Sequence, residues 1–125
     1  MVGLIWLIQI VSYPLFRLVE GSEFTKYHHS HVTRITPIVA IVMLVELISA
    51  ISLAVFFLDL INIPIIILLL LLGVIWASTL MFQLPYHQKL SKVKDIRIVE
   101  SLICTNWIRT FAWTLKGVIC WWLVF

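Results

Sequence analysis

Residues 101–125 read "SLICTNWIRTFAWTLKGVICWWLVF", and the reading of this stretch decides what kind of protein the chain is. It is apolar and long enough for a bilayer, since ~20 residues cross ~30 Å of hydrocarbon. Yet it carries an amide, Asn106, and a guanidinium, Arg109. An Arg near mid-bilayer costs at least about 2.5–3.5 kcal/mol on insertion scales, so such a residue faces a protein interior, a partner or water. In a helix, Asn106, Arg109, Thr110 and Trp113 fall on one stripe, continued by Gly117, while Ile108, Leu115 and Ile119 cover the remaining surface. The stretch predicts a helix with one polar face, turned toward other helices.

The rest of the chain supplies them. Of 125 residues 62% are hydrophobic and only 12% charged, with a mean hydropathy of +1.10, which predicts an integral membrane protein. Apolar spans are expected at about 2–18, 35–58, 61–84 and 102–125, giving a single integral membrane domain over residues 1–125. The first span lacks a basic n-region and a small-x-small cleavage site, and is read as retained. Arg17, Lys26 and Arg34 flank the first connection, and Lys89, Lys92, Lys94 and Arg97 the third, whereas the second has only Asp59. By the positive-inside rule both basic connections are cytoplasmic and both termini outside. The net charge of +3 then describes a basic inner rim facing anionic lipid, not a nucleic-acid binder. Cys104 and Cys120, about 24 Å apart on one helix, cannot pair. No CxxC, phosphate loop, GxGxxG or HExxH is present.

Each span carries one polar stripe: Gln9, Ser12, Tyr13 and Phe16 in the first; Glu46 with Val39, Val42, Ser49 and Ala50 in the second; Trp76, Thr79, Gln83 and Tyr86, with His87 beside them, in the third. The expected fold is an all-α four-transmembrane-helix bundle with its stripes inward, where polar groups bond to one another. Glu46 near mid-membrane must be neutral, paired or hydrated, and Arg109 is its expected partner. Trp107 and Trp113 lie close enough to the polar stripe to line a pocket, while Trp6, Trp121 and Trp122 read as interfacial anchors.

The first cytoplasmic loop, "GSEFTKYHHSHVTRITP" (21–37), predicts a short interfacial helix with Phe24, Tyr27, His28 and His31 on one face. Thr36-Pro37 then reads as the start of the second span. Three readings of the histidines stand, one of them proton or substrate handling. Near a membrane surface they are ordinary interfacial residues; alternatively His28, His31 and His87 bind a transition metal, or the site holds a haem.

The segments "YHHSHVTRITPIVAIVMLVE", "LPYHQKL" and "TNWIRTFAWTLKG" resemble those of a family of small uncharacterised bacterial four-helix integral membrane proteins. A weaker architectural likeness is to the anthrone-oxygenase-like membrane proteins. The first resemblance implies the bacterial cytoplasmic (inner) membrane and marks His31, Arg34, Glu46, Pro85, His87, Asn106, Trp107, Arg109 and Trp113 as motif positions. Together these readings predict a polar site in the cytoplasmic half of the bundle. Its catalytic candidates are Glu46, His87 and Arg109, and its ligand-binding candidates Tyr13, Arg34, Gln83, Asn106, Trp107 and Trp113. Three functions fit. One is a redox or metal-dependent membrane enzyme acting on a lipid-soluble molecule such as a quinone or another aromatic. The others are an accessory subunit of a larger membrane complex and a small oligomeric transporter.

Overall fold

The apolar stretches fold as helical rods in the computed structural model, which describes residues 1–56 and 62–125. They are α1 (Val2–Leu18), α2 (Gly21–Phe56), α3 (Ile63–Leu90) and α4 (Ile96–Val124). The described residues contain no strand, and α2 and α3 are each long and apolar enough to cross a membrane. The expected end of the second span at Leu58, the start of the third at Ile61, and Asp59 lie outside the described residues. Side-chain caps start two rods: Asn62 Oδ1 accepts from the Ile65 N–H at 3.2 Å, and Asp95 Oδ1 from the Arg97 N–H at 2.8 Å. Each answers an N–H that the first helical turn leaves without a partner.

The separate interfacial helix is corrected. Gly21–Phe56 is one helix of 36 residues with Pro37 inside it, about 54 Å long. Proline removes one backbone donor and crowds the preceding turn. Ending the helix there would strip several more backbone groups of partners, a larger penalty in apolar surroundings, so the helix continues through the proline. Phe24 and His28 are buried, as expected of one packed face.

Prolines act differently in α1 and α3. Pro14 and Pro85 are each preceded by a single wide turn, at Ile8–Ser12 and Thr79–Gln83. The Tyr13 N–H bonds to the Ile8 carbonyl and the Leu84 N–H to that of Thr79, both five residues back. Such π turns widen the helix locally. They also explain a spacing. Ile5, Gln9 and Tyr13, and Ile75, Thr79, Gln83 and His87, recur every four residues, which in a regular α-helix would drift about 40° per step. The wide turn takes up part of that drift and keeps the run on one inner face.

Helix α4 supplies the central face, with Leu102, Asn106, Arg109, Thr110 and Trp113 buried and Ile108 and Leu115 exposed. Phe16, Phe24, Leu90, Val99 and Leu102 pack at the end carrying the basic connections, and Ile5, Met43, Ile75, Ala112 and Trp113 further along. At Gly117, α1 approaches so closely that an added Cβ would lie 2.9 Å from Val2 Cγ2. The basic end is tied by side chains. Arg17 grips Glu100 through two bonds of 2.6 Å, and Lys94 donates to the carbonyls of Arg17, at 3.2 Å, and of Val19. The Arg17 hydrogen bonds hold the Glu100 carboxyl below the usual carboxylate range.

Candidate functional site

The polar stripes meet in layers. Nearest the chain termini, Trp6 Nε1 donates to Thr114 Oγ1 at 3.0 Å. Next, Gln9 joins α1 to α4: its Oε1 accepts from Asn106 Nδ2 at 2.8 Å, and its Nε2 donates to the Ile103 carbonyl at 3.1 Å. Asn106 is therefore committed to a helix-to-helix bond.

Toward the basic end lies a chain of titratable groups. Tyr13 Oη stands 3.3 Å from Gln83 Oε1 and 3.0 Å from His87 Nε2, and His87 Nδ1 stands 3.0 Å from His28 Nε2. Gln83 Nε2 donates to Thr105 Oγ1 at 3.1 Å, which fixes its carbonyl as the acceptor toward Tyr13. The chain has two self-consistent hydrogen placements. In one, Tyr13 donates to His87 and His87 to His28; in the other, His28 donates to His87, His87 to Tyr13, and Tyr13 to Gln83. Passing between them moves protons along the row.

Tyr13, Gln83 and His87 also line a cavity of about 290 Å³ with His31 and Arg109. All four helices contribute, α2 through Ile35, Thr36, Val39 and Met43 and α1 also through Ile8. Leu44 and Leu84, both exposed, form part of its wall, so it opens sideways between α2 and α3. Arg109 is 4% exposed, and its guanidinium lies 5.1 Å from the centre of the Trp113 ring. Among the described residues no carboxylate pairs with it and its Nε has no hydrogen-bond partner.

The expected Glu46–Arg109 pair is corrected. Glu46 Oε2 accepts from Lys116 Nζ at 3.0 Å and from Trp113 Nε1 at 3.1 Å, and Glu46, Trp113 and Lys116 line a second cavity of about 430 Å³. Glu46 and Trp113 are thus placed apart from the cavity that Arg109 faces. Lys116 was the missed partner. It is one of two cationic side chains in the expected span at 102–125 and lies seven residues beyond Arg109, on the same face.

The remaining candidates separate clearly. Arg34 is exposed on α2. Trp107 packs edge-on against Trp6 at 5.6 Å and stacks on Phe111 at 5.2 Å, outside both cavities. His28 and His87 turn nitrogens toward each other, while His31 lies edge-on to Phe16 at 5.1 Å. Among the described residues no group of three or more His, Cys, Asp or Glu side chains is arranged to hold a metal ion. Thr105 and Trp76 belong to the site as well. Thr105 adjoins the Asn106 stripe, and Trp76 was legible as a stripe residue in α3.

The chain matches no protein-family model, no curated protein and no solved structure.

Proposed function

We propose that the chain is a four-span protein of the bacterial inner membrane, with both termini outside, that binds a lipid-soluble molecule in the Arg109 cavity and exchanges a proton with it through Tyr13. Support for the spans comes from the outer surface. Ile41, Ile48 and Val55 on α2, Ile66 and Leu70 on α3, Leu7 and Ile10 on α1, and Phe111 and Val118 on α4 are all exposed, a continuous apolar exterior that lipid covers. The basic connections lie at one end, as cytoplasmic loops do. With Cys104 and Cys120 replaced, a cysteine introduced at Lys92 should resist an impermeant thiol reagent added to intact cells, and one at Met1 should react. Labelling at 92 from outside reverses the orientation.

The observation that carries the function is the hydrogen-bonded row Tyr13–His87–His28, one end of which borders a cavity that opens sideways between helices. A ligand oxygen beside Tyr13 would exchange a proton with the phenol. His87 would restore the phenol's proton and draw one in turn from His28, where the row ends. This is the proton handling an enzyme acting on a quinone or another oxygen-bearing aromatic requires. In lipid nanodiscs, a short-chain benzoquinone should quench tryptophan fluorescence saturably through Trp76. Ala40→Phe, which fills the cavity, should abolish the saturable part, and Ala77→Phe, on the exposed face of α3, should not. Equal quenching in both variants would leave the polar interior a purely structural feature and favour an accessory subunit.

A further inference from the structure

Six buried side-chain polar atoms among the described residues lack a hydrogen-bond partner, and three of them belong to residues lining the Arg109 cavity: Arg109 Nε, Trp76 Nε1 and His31 Nε2. Their chemistry is one-sided. Guanidinium and indole nitrogens only donate, and an imidazole nitrogen donates in one of its tautomers. Leaving a buried donor unmet costs about 1–3 kcal/mol, more when it is charged. The Arg109 guanidinium adjoins the Tyr13 hydroxyl, a neutral neighbour, and among the described residues no anionic side chain lines the cavity. The cavity is short of negative charge, since Glu46, half-buried on α2, is engaged by Lys116 and Trp113 instead.

We infer that the occupant of this cavity is a lipid-soluble oxyanion, a carboxylate or comparable acidic group on an apolar body, whose charge rests on Arg109. The inference rests on the binding-site reading above and, within its oxygen-bearing aromatics, selects an acidic molecule over a neutral quinone. The walls suit both halves of such a molecule: Ile8, Val39, Met43 and Leu44 receive the apolar body, and Arg109 meets the oxygens at the polar end. A guanidinium accepts a carboxylate through two parallel bonds, which fixes the ligand's orientation as well as its charge. Depth favours a simple acid over a lipid headgroup. Arg109 lies seven residues inside the expected start of the fourth span at Leu102, about 10 Å along the helix, below the level at which headgroup phosphates sit.

Two isosteric probes separate charge from shape: naphthalene-2-carboxylate and its neutral carboxamide, titrated by equilibrium dialysis into the full chain in zwitterionic nanodiscs. The carboxylate should bind at least tenfold more tightly. Arg109→Gln should erase that preference, Arg109→Lys should retain most of it, and Arg34→Gln, which removes an exposed cation, should leave it unchanged. Thermal melting of each variant checks that it folds, and Arg109→Lys keeps the test valid if Arg109→Gln does not. Equal affinity for the two probes, both blocked by Ala40→Phe, overturns the charge inference and leaves the binding site standing. Binding of both that Ala40→Phe does not reduce, or no saturable binding of either, overturns the site and the inference together.

Discussion

Two cations on one face of α4 are treated in opposite ways. Lys116 is held by Glu46 at 3.0 Å, with Trp113 donating to the same oxygen. Arg109, two turns earlier and more deeply buried, has no carboxylate among the described residues and borders a cavity instead. The same helix carries both, so the difference lies in what the neighbouring helices bring to each charge. A charge answered from within the fold holds helices together. A buried charge met only by the Tyr13 hydroxyl and the Trp113 ring carries more of its desolvation cost uncompensated.

The comparison breaks most visibly at the answered pair. Glu46→Ala strands Lys116 and the Trp113 indole, and should destabilise the protein by an amount toward the lower end of ~3–5 kcal/mol, read as a loss of melting temperature in nanodiscs. Adding Lys116→Met should restore much of it; no restoration would mean that Glu46 acts through something other than the pair. Arg109→Met should behave in the opposite sense. Removing an unanswered buried cation should raise the ligand-free stability by about 1 kcal/mol, even after the loss of its contact with the Trp113 ring. A strong fall would reveal that the fold already neutralises Arg109.

Smaller effects sharpen the contrast. Tyr13→Phe removes a hydroxyl that joins α1 to α3 and should cost about 1 kcal/mol of stability. Proton uptake on ligand binding, followed with a pH-sensitive dye, should slow far more than that figure suggests. Uptake at the wild-type rate would remove Tyr13 from the path. The smallest effect belongs to the exposed clasp of Arg17 and Glu100. Because the folded Glu100 carboxyl is held low by Arg17, its contribution is fully present above the unfolded carboxylate value of about 4.3 and is lost as the pH falls through the lower folded value. The melting temperatures of wild type and Glu100→Gln should differ by a constant small margin from pH 5 to 8 and converge below about pH 4.

Much of this architecture was legible in the sequence for a physical reason: apolar length and polar periodicity are local properties. The stripe of α4 predicted that Asn106, Arg109 and Trp113 are buried while Ile108 and Leu115 are exposed, and the structure has them so. Partner choice was not legible, because it depends on how far each helix slides along its axis. Treating Pro37 as a helix start set the depth of Glu46, and so its level against α4. In the structure α2 runs through Pro37 and Glu46 meets Lys116, seven residues or about 10 Å beyond Arg109. Tyr13, Gln83 and His87 could be placed in the cytoplasmic half but not joined, since their meeting depends on the two wide turns. The fourfold spacing ahead of Pro14 and Pro85 was the available signal for those turns.

A wide helical turn has the form of one surplus residue that a helix has absorbed without breaking. Helices α1 and α3 each carry such a surplus just before a proline, and Tyr13, Gln83 and His87 meet where these segments end. Length is therefore as much a determinant of the polar centre as composition. Deleting Ile10, itself an exposed apolar residue, would leave α1 about as hydrophobic, but would remove the wide turn and set Tyr13 three residues beyond Gln9, about 60° short of a full turn. The hydrogen-bonded row would then be broken at Tyr13 with every one of its members still in the chain. A change in the count of residues here, rather than in their kind, is therefore enough to keep the helices and lose the hydrogen-bonded row.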